Sequence, residues 1–123
     1  MKKIVIAQHR NDKQLNDVNR FLPDIKLFFN VSSWVVSNIQ CSGENALELE
    51  EKSVKGLKLN NEAFIKCYSG IFQTIWGTFE AFENSKSVFR LSIVDSSYWE
   101  FESANEEFLR YISAIYGLYV TKI

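Results

Sequence analysis

The stretch SIVDSSYWEFESANEEF, residues 92–108, sets five carboxylates among four aromatic rings in seventeen positions. Asp95, Glu100, Glu102, Glu106 and Glu107 have the chemistry of general acids, of ligands for oxygen-loving cations, or of a docking face for something basic. Each role sets a physical condition. A catalytic acid needs a desolvated pocket that raises its pKa, and glycoside hydrolysis needs a second carboxyl at about 5 or 6.5–9.5 Å. Alternate residues on a strand stand roughly 6.5–7 Å apart. The spacing of Glu100 and Glu102 therefore leaves acid catalysis open beside a solvated sheet face, where an ion pair is worth about 0–1 kcal/mol. No saccharide cleft with aromatic platforms is implied, and no Asp-rich loop supports a metal.

Other reactive groups are sparse. Cys41 and Cys67 form no C-x-x-C pair and sit among apolar neighbours, as reduced structural thiols do. His9 is the only histidine, so a multi-His metal site within one chain is excluded. With no second residue tied to it by motif, His9 reads as a loop or strand-end histidine rather than a lone general base. There is no G-x-S-x-G elbow. The segment SGEN at 42–45 has a single glycine and is no phosphate loop. Neither a catalytic constellation nor a cofactor is expected.

Charge is nearly balanced overall at −1 but unevenly distributed. Residues 1–40 carry six basic and three acidic side chains, and residues 41–123 carry eight basic and twelve acidic. Residues 80–107 hold seven acids against Lys86 and Arg90. Nucleic-acid binding needs a basic footprint, which so dilute an amino-terminal surplus does not supply; direct nucleic-acid binding is not expected. An acidic half favours a basic protein partner, through steering and charge complementarity.

The elements that would position these groups fit one domain over residues 1–123, the size expected of a single core. A content of 46% hydrophobic residues excludes a disordered chain. Lys2 and Lys3 precede an apolar run of only four residues, too short for a signal-peptide core. No run approaches the ~20 residues of a membrane helix, so a cytoplasmic location without membrane contact is expected.

KKIVIAQ at 2–8 reads as a first strand and VSSWVVSNIQC at 31–41 as a second. NDKQLNDVNRFL between them reads as a short helix capped by Asn11 or Asp12 and ended by Pro23. ALELEE at 46–51 fits strand or helix. GLKLNNEAFIKCYSG at 56–70 fits a short strand followed by an Asn-capped helical turn closed by Gly70. IFQTIWGTFEAFE at 71–83 reads as a strand in which Gly77 marks a bulge or a close backbone approach.

The sharpest inference concerns a hairpin. SVFRLSIV puts Phe89, Leu91 and Ile93 on one face, and YWEFE puts Trp99 and Phe101 on one face. A three-residue loop, Asp95-Ser96-Ser97, pairs Ile93 with Trp99, Leu91 with Phe101, Ser92 with Glu100 and Arg90 with Glu102. A two-residue loop would mix the faces. A helix over 104–116 follows, with Ser103 and Glu106 as a capping box, a Phe108–Ile112–Ile115 stripe, an Arg110 partner for Glu106, and Gly117 closing it. LYVTKI at 118–123 is left as an edge strand or a frayed end. The fold class is α+β: a mainly antiparallel sheet of four to six strands, helices on one face, and the carboxy-terminal helix over Leu91, Ile93, Trp99 and Phe101.

In their order, IFQTIWGTFEAF, SVFRLSIVDSSYWEFES and ANEEFLRYISAIYG resemble the small bacterial immunity proteins of polymorphic toxin systems, including the contact-dependent growth inhibition type. The resemblance covers residues 71–117 and transfers no functional residue. It implies a cytoplasmic, non-enzymatic protein that binds one cognate toxin, often a basic nuclease, and occludes its active site. Acid and aromatic placement independently suggests a binding face of Trp76, Glu80, Glu83, Tyr98, Glu100 and Glu102, since exposed Trp and Tyr are common interface anchors. Monomer and dimer are both left open. The alternative is a small ligand-binding or hydrolase-like domain, with a pocket between sheet and helices and His9 or Asp95 as its titratable group.

Overall fold

The computed structural model describes residues 2–117. Its elements are β1 (Lys2–Ala7), α1 (Val18–Phe28), β2 (Ser33–Gly43), α2 (Ala46–Lys52), β3 (Leu57–Asn60), α3 (Asn61–Tyr68), β4 (Ile71–Glu83), β5 (Lys86–Val94), β6 (Tyr98–Ser103) and α4 (Glu106–Tyr116). Six strands form one open sheet in the order β1-β6-β5-β4-β2-β3, and every neighbouring pair is antiparallel.

Alternation decides the two faces of this sheet. Trp34, Val36, Phe79, Phe89, Leu91, Ile93, Trp99 and Phe101 are all buried, on the face that the helices cover. From α1, the Phe21 ring meets Trp99 at 5.5 Å and Phe101 at 4.9 Å. From α3, Phe64 stacks on Trp34 at 4.2 Å. From α4, Phe108 packs 5.5 Å from Phe89. Edge-on and offset ring pairs of this kind add about 0.5–1.5 kcal/mol each beyond burial. The opposite face carries no helix among the described residues.

The β5–β6 register is the one the hydrophobic pattern requires: Ile93 opposes Trp99, Leu91 opposes Phe101, Ser92 opposes Glu100 and Arg90 opposes Glu102. The three-residue loop lacks the glycine such loops favour. Asp95 and Ser96 take the left-handed conformation instead, at φ 53° and 56°, which Asp tolerates better than most residues. Ser96 N–H is held by the carbonyl of Ile75 at 3.0 Å, fastening the loop to β4.

Gly77 does what its place in a strand suggested. Its φ is +150°, and a Cβ there would lie 2.3 Å from Ile39 Cδ1. The β2–β4 ladder is irregular around it, with Asn38 left-handed on the facing strand. The ambiguous middle resolves as helix for ALELEE and as strand then helix for 57–68, where the Asn60 side chain accepts from Ala63 N–H at 2.8 Å.

Two helix boundaries differ from expectation. The first helix starts at Val18, is capped by Asp17 and contains Pro23 rather than ending at it. Phe21 and Ile25, buried on either side of Pro23, hold the helix to the sheet. Pro23 itself is exposed, so the Asn19 carbonyl it deprives of a donor lies on the side where helices bend toward water. Asp12 instead closes a turn, accepting from Gln14 N–H at 3.1 Å and pairing with Arg10.

The last helix starts at Glu106 rather than 104, and no Ser103 capping box forms. Asn105 is the cap, its side chain accepting from Phe108 N–H at 3.0 Å. Ser103 belongs to β6, where its buried hydroxyl donates to the Val88 carbonyl. Glu106 is paired with Lys2 at 2.7 Å rather than with Arg110, and Gly117 caps the helix in right-handed geometry. The expectation for 118–123 lies outside the described residues.

Candidate functional site: the open face of the sheet

The uncovered face is built by three rows of side chains running across the strands. In the first row Lys3 opposes Glu102, Glu102 opposes Arg90, Arg90 opposes Glu80, Glu80 opposes Val35 and Val35 opposes Lys58. Charges thus alternate along it, and opposite charges on facing strands attract. The second row is mostly small and polar, running Val5, Glu100, Ser92, Thr78, Ser37. The third is apolar and aromatic: Ala7 opposes Tyr98, Tyr98 opposes Val94, and Trp76 opposes Gln40 on the far side.

Geometry ties the acids down. Lys3 Nζ lies 3.3 Å from Glu100 Oε2, and Arg90 Nη2 lies 3.4 Å from Glu80 Oε1. Ser87 Oγ donates to the other Glu80 oxygen at 2.7 Å. At the neighbouring corner, the Lys2 ammonium holds the Glu106 carboxyl below the usual carboxylate range. On this face Lys3, Arg90 and Lys58 therefore balance Glu80, Glu100 and Glu102. The acid excess counted along residues 80–107 is partly offset in space, because β1 pairs with β6 and brings Lys3 to this face and Lys2 to Glu106.

Among the described residues Arg90 Nε is buried here without a hydrogen-bond partner, and the rest of what the face leaves open to solvent is largely apolar. Val5 is 55% exposed, Tyr98 57%, Val94 55% and Trp76 44%. The register places Tyr98 beside Val94, with Val5 diagonal to Tyr98 on β1 and Trp76 next along beyond Val94, where Gly77 opposes Ile93. Single exposed apolar residues are ordinary, whereas a contiguous group rimmed by polar side chains marks an interaction surface.

Of the six residues singled out from the sequence, Trp76, Glu80, Tyr98, Glu100 and Glu102 share this face. Glu83 stands apart. Its neighbour Phe82 opposes Ser33 on the open face, and the Glu83 carboxylate accepts from the Asn30 backbone N–H at 2.7 Å. Val5, Val94 and Lys3 were not singled out. The signal for Lys3 and Val5 was the alternation of β1, which becomes informative once its partner strand is known, and that for Val94 was the alternation of β5.

The remaining chemical candidates are placed as structure. Both cysteines are free, and burial pushes the Cys41 thiol up to about 11, far from a reactive thiolate. His9 is exposed and bridges to Leu15. Asp95 forms the β5–β6 turn. Among the described residues no three His, Cys, Asp or Glu side chains converge as metal donors, and no helix is long and apolar enough to cross a membrane.

A buried polar network does exist, and it is a structural joint. Asp17 accepts from Val18 N–H at 2.8 Å, Thr74 N–H at 2.8 Å, the Thr74 hydroxyl at 2.7 Å and Gln8 Nε2 at 3.0 Å. Tyr68 hydrogen-bonds the same Thr74 hydroxyl. Burial raises the Asp17 carboxyl above its ordinary value, against the opposing pull of Thr74, Val18 and Gln8. The network pins the start of α1 to β4. Compared with known proteins, the chain is matched by no family model, no curated protein and no solved structure.

Proposed function

We propose that this chain is a binding protein of the immunity type, which neutralises a cognate bacterial toxin in the cytoplasm by covering the toxin's active site with the open face of its sheet. The observation that carries this is the exposed cluster of Val5, Trp76, Val94 and Tyr98 on a face where Lys3 pairs with Glu100 and Arg90 with Glu80. Trp76 and Tyr98 are the anchors. Rigid aromatic side chains supply large contact area and a polar tip at small entropic cost, and such residues dominate interface hot spots.

The carboxylates take the rim. Glu100 exchanges Lys3, and Glu80 exchanges Arg90, for basic side chains around a nuclease-type cleft. Their contribution is register and specificity more than net attraction, because the face starts close to neutral.

The test is inhibition of the toxin domain encoded beside this chain, with its activity titrated by purified protein. Stoichiometric loss of activity, weakened by Trp76→Ala and Tyr98→Ala, is expected. Full toxin activity in the presence of excess folded protein would contradict the proposal.

A further inference from the structure

On the helix side of the sheet, away from the open face, α1, α3 and the 29–31 segment enclose a groove of about 460 Å³. That volume falls in the range of small-molecule sites, about 300–1,000 Å³. Its walls are apolar: Leu22 from α1, Phe29 and Val31 from the connecting segment, Trp34 from β2 and Ile65 from α3. The Trp34 ring is fully buried, stacked on Phe64, and held by its indole N–H, which donates to Asn61 Oδ1 at 2.9 Å.

The polar groups of the groove are Lys26 and three asparagines, of which Asn19 spends its amide nitrogen on the Tyr68 and Ile71 carbonyls. Among the described residues Lys26 is the only ionisable side chain lining it, and no carboxylate does. Among the described residues no acid lies within ion-pair distance of the Lys26 ammonium. Asn61 has its oxygen occupied by Trp34, so the amide group it turns to a ligand is a donor. A cation, a donor amide and an apolar trough complement a molecule with an apolar body and a single negative head. His9 and Asp95, the titratable groups expected of a pocketed domain, do not line the groove.

We infer that this groove is a binding site for a small amphipathic carboxylate. The chain of the ligand lies along Leu22, Phe29 and Ile65 over the edge of Trp34, and its carboxylate faces Lys26 and the Asn61 amide. Nothing in this site depends on the open face or on a toxin, so either can fail while the other stands.

The test is titration of the isotope-labelled full chain with decanoate below its micelle concentration, followed by the indole N–H signals of the three tryptophans. Decyltrimethylammonium serves as the cationic counterpart. Decanoate is expected to shift the Trp34 indole signal saturably while leaving Trp76 and Trp99 in place. Lys26→Glu is expected to raise the half-saturation concentration about tenfold, and decyltrimethylammonium to bind the native protein about tenfold more weakly than decanoate. Lys26 is exposed, so its exchange leaves the fold intact and Lys26→Met checks the loss of charge alone. A Trp34 signal that never moves would overturn the inference. So would equal affinity for both amphiphiles, or a Lys26→Glu protein that binds decanoate like the native one.

Discussion

Lys3 meets Glu100 across the β1–β6 pair, with 3.3 Å between the ammonium nitrogen and Oε2. This contact joins segments far apart in the chain and sets a positive charge against an acidic stretch of sequence. Both side chains are about half exposed, so the pair contributes little to stability. Lys3→Glu should change unfolding free energy by less than about 1 kcal/mol, measured by urea denaturation. The same variant makes the face net negative, so it should increase the salt dependence of the association rate with a basic partner.

Core packing is where stability resides. Phe101 is fully buried and its ring lies 4.9 Å from Phe21 and 6.2 Å from Phe108. Phe101→Ala should cost about 3–5 kcal/mol in urea unfolding, and Glu102→Ala, one position on but outward-facing, less than about 1 kcal/mol.

Gly77 makes a separable prediction. Gly77→Ala should destabilise by about 1–3 kcal/mol, because the added methyl meets Ile39 Cδ1 and the residue must keep φ near +150°. Ile39→Val trims the colliding methyl. Calorimetry of the double variant should show a smaller penalty for Gly77→Ala than in the native background, the remainder being the backbone cost.

Asp17 gives a pH dependence whose sign follows from its raised pKa. The native state holds the proton to higher pH than the unfolded chain does. Its contribution is therefore fully present below the ordinary aspartate value of 3.8 and is lost as pH rises through the raised native value. Asp17→Asn cannot titrate, so its stability deficit relative to the native protein should be larger at pH 3 than at pH 7. A deficit that grows toward pH 7 would show the four donors outweighing burial.

How much of this could be seen in the sequence depended on how local the cause was. Alternation in 87–102 specified the β5–β6 register without any partner, because a one-residue slip would have put Glu100 in the core. Gly77 likewise announced the irregular ladder around it. The first helix was misplaced because Pro23 looks like a stop in isolation, whereas Phe21 and Ile25 packing on Trp99 and the sheet is a tertiary effect. Ser103 and Glu106 matched a capping box in spacing, yet strand β6 claimed the serine and Asn105 did the capping. On the open face, Tyr98 was identifiable from alternation and Trp76 from its neighbours, but Lys3 came from β1, whose pairing with β6 no local window contains. The groove was equally invisible, since its walls come from segments far apart in the chain.

The most direct test of the open face as an interface is calorimetric titration of the neighbouring-gene toxin domain with native protein, Trp76→Ala, Tyr98→Ala and the exposed control Leu47→Ala. Each aromatic truncation should weaken binding at least about tenfold, about 1.4 kcal/mol, while Leu47→Ala binds like the native chain. Native affinity in the Trp76→Ala/Tyr98→Ala double variant, or no complex with any of the proteins, would contradict it.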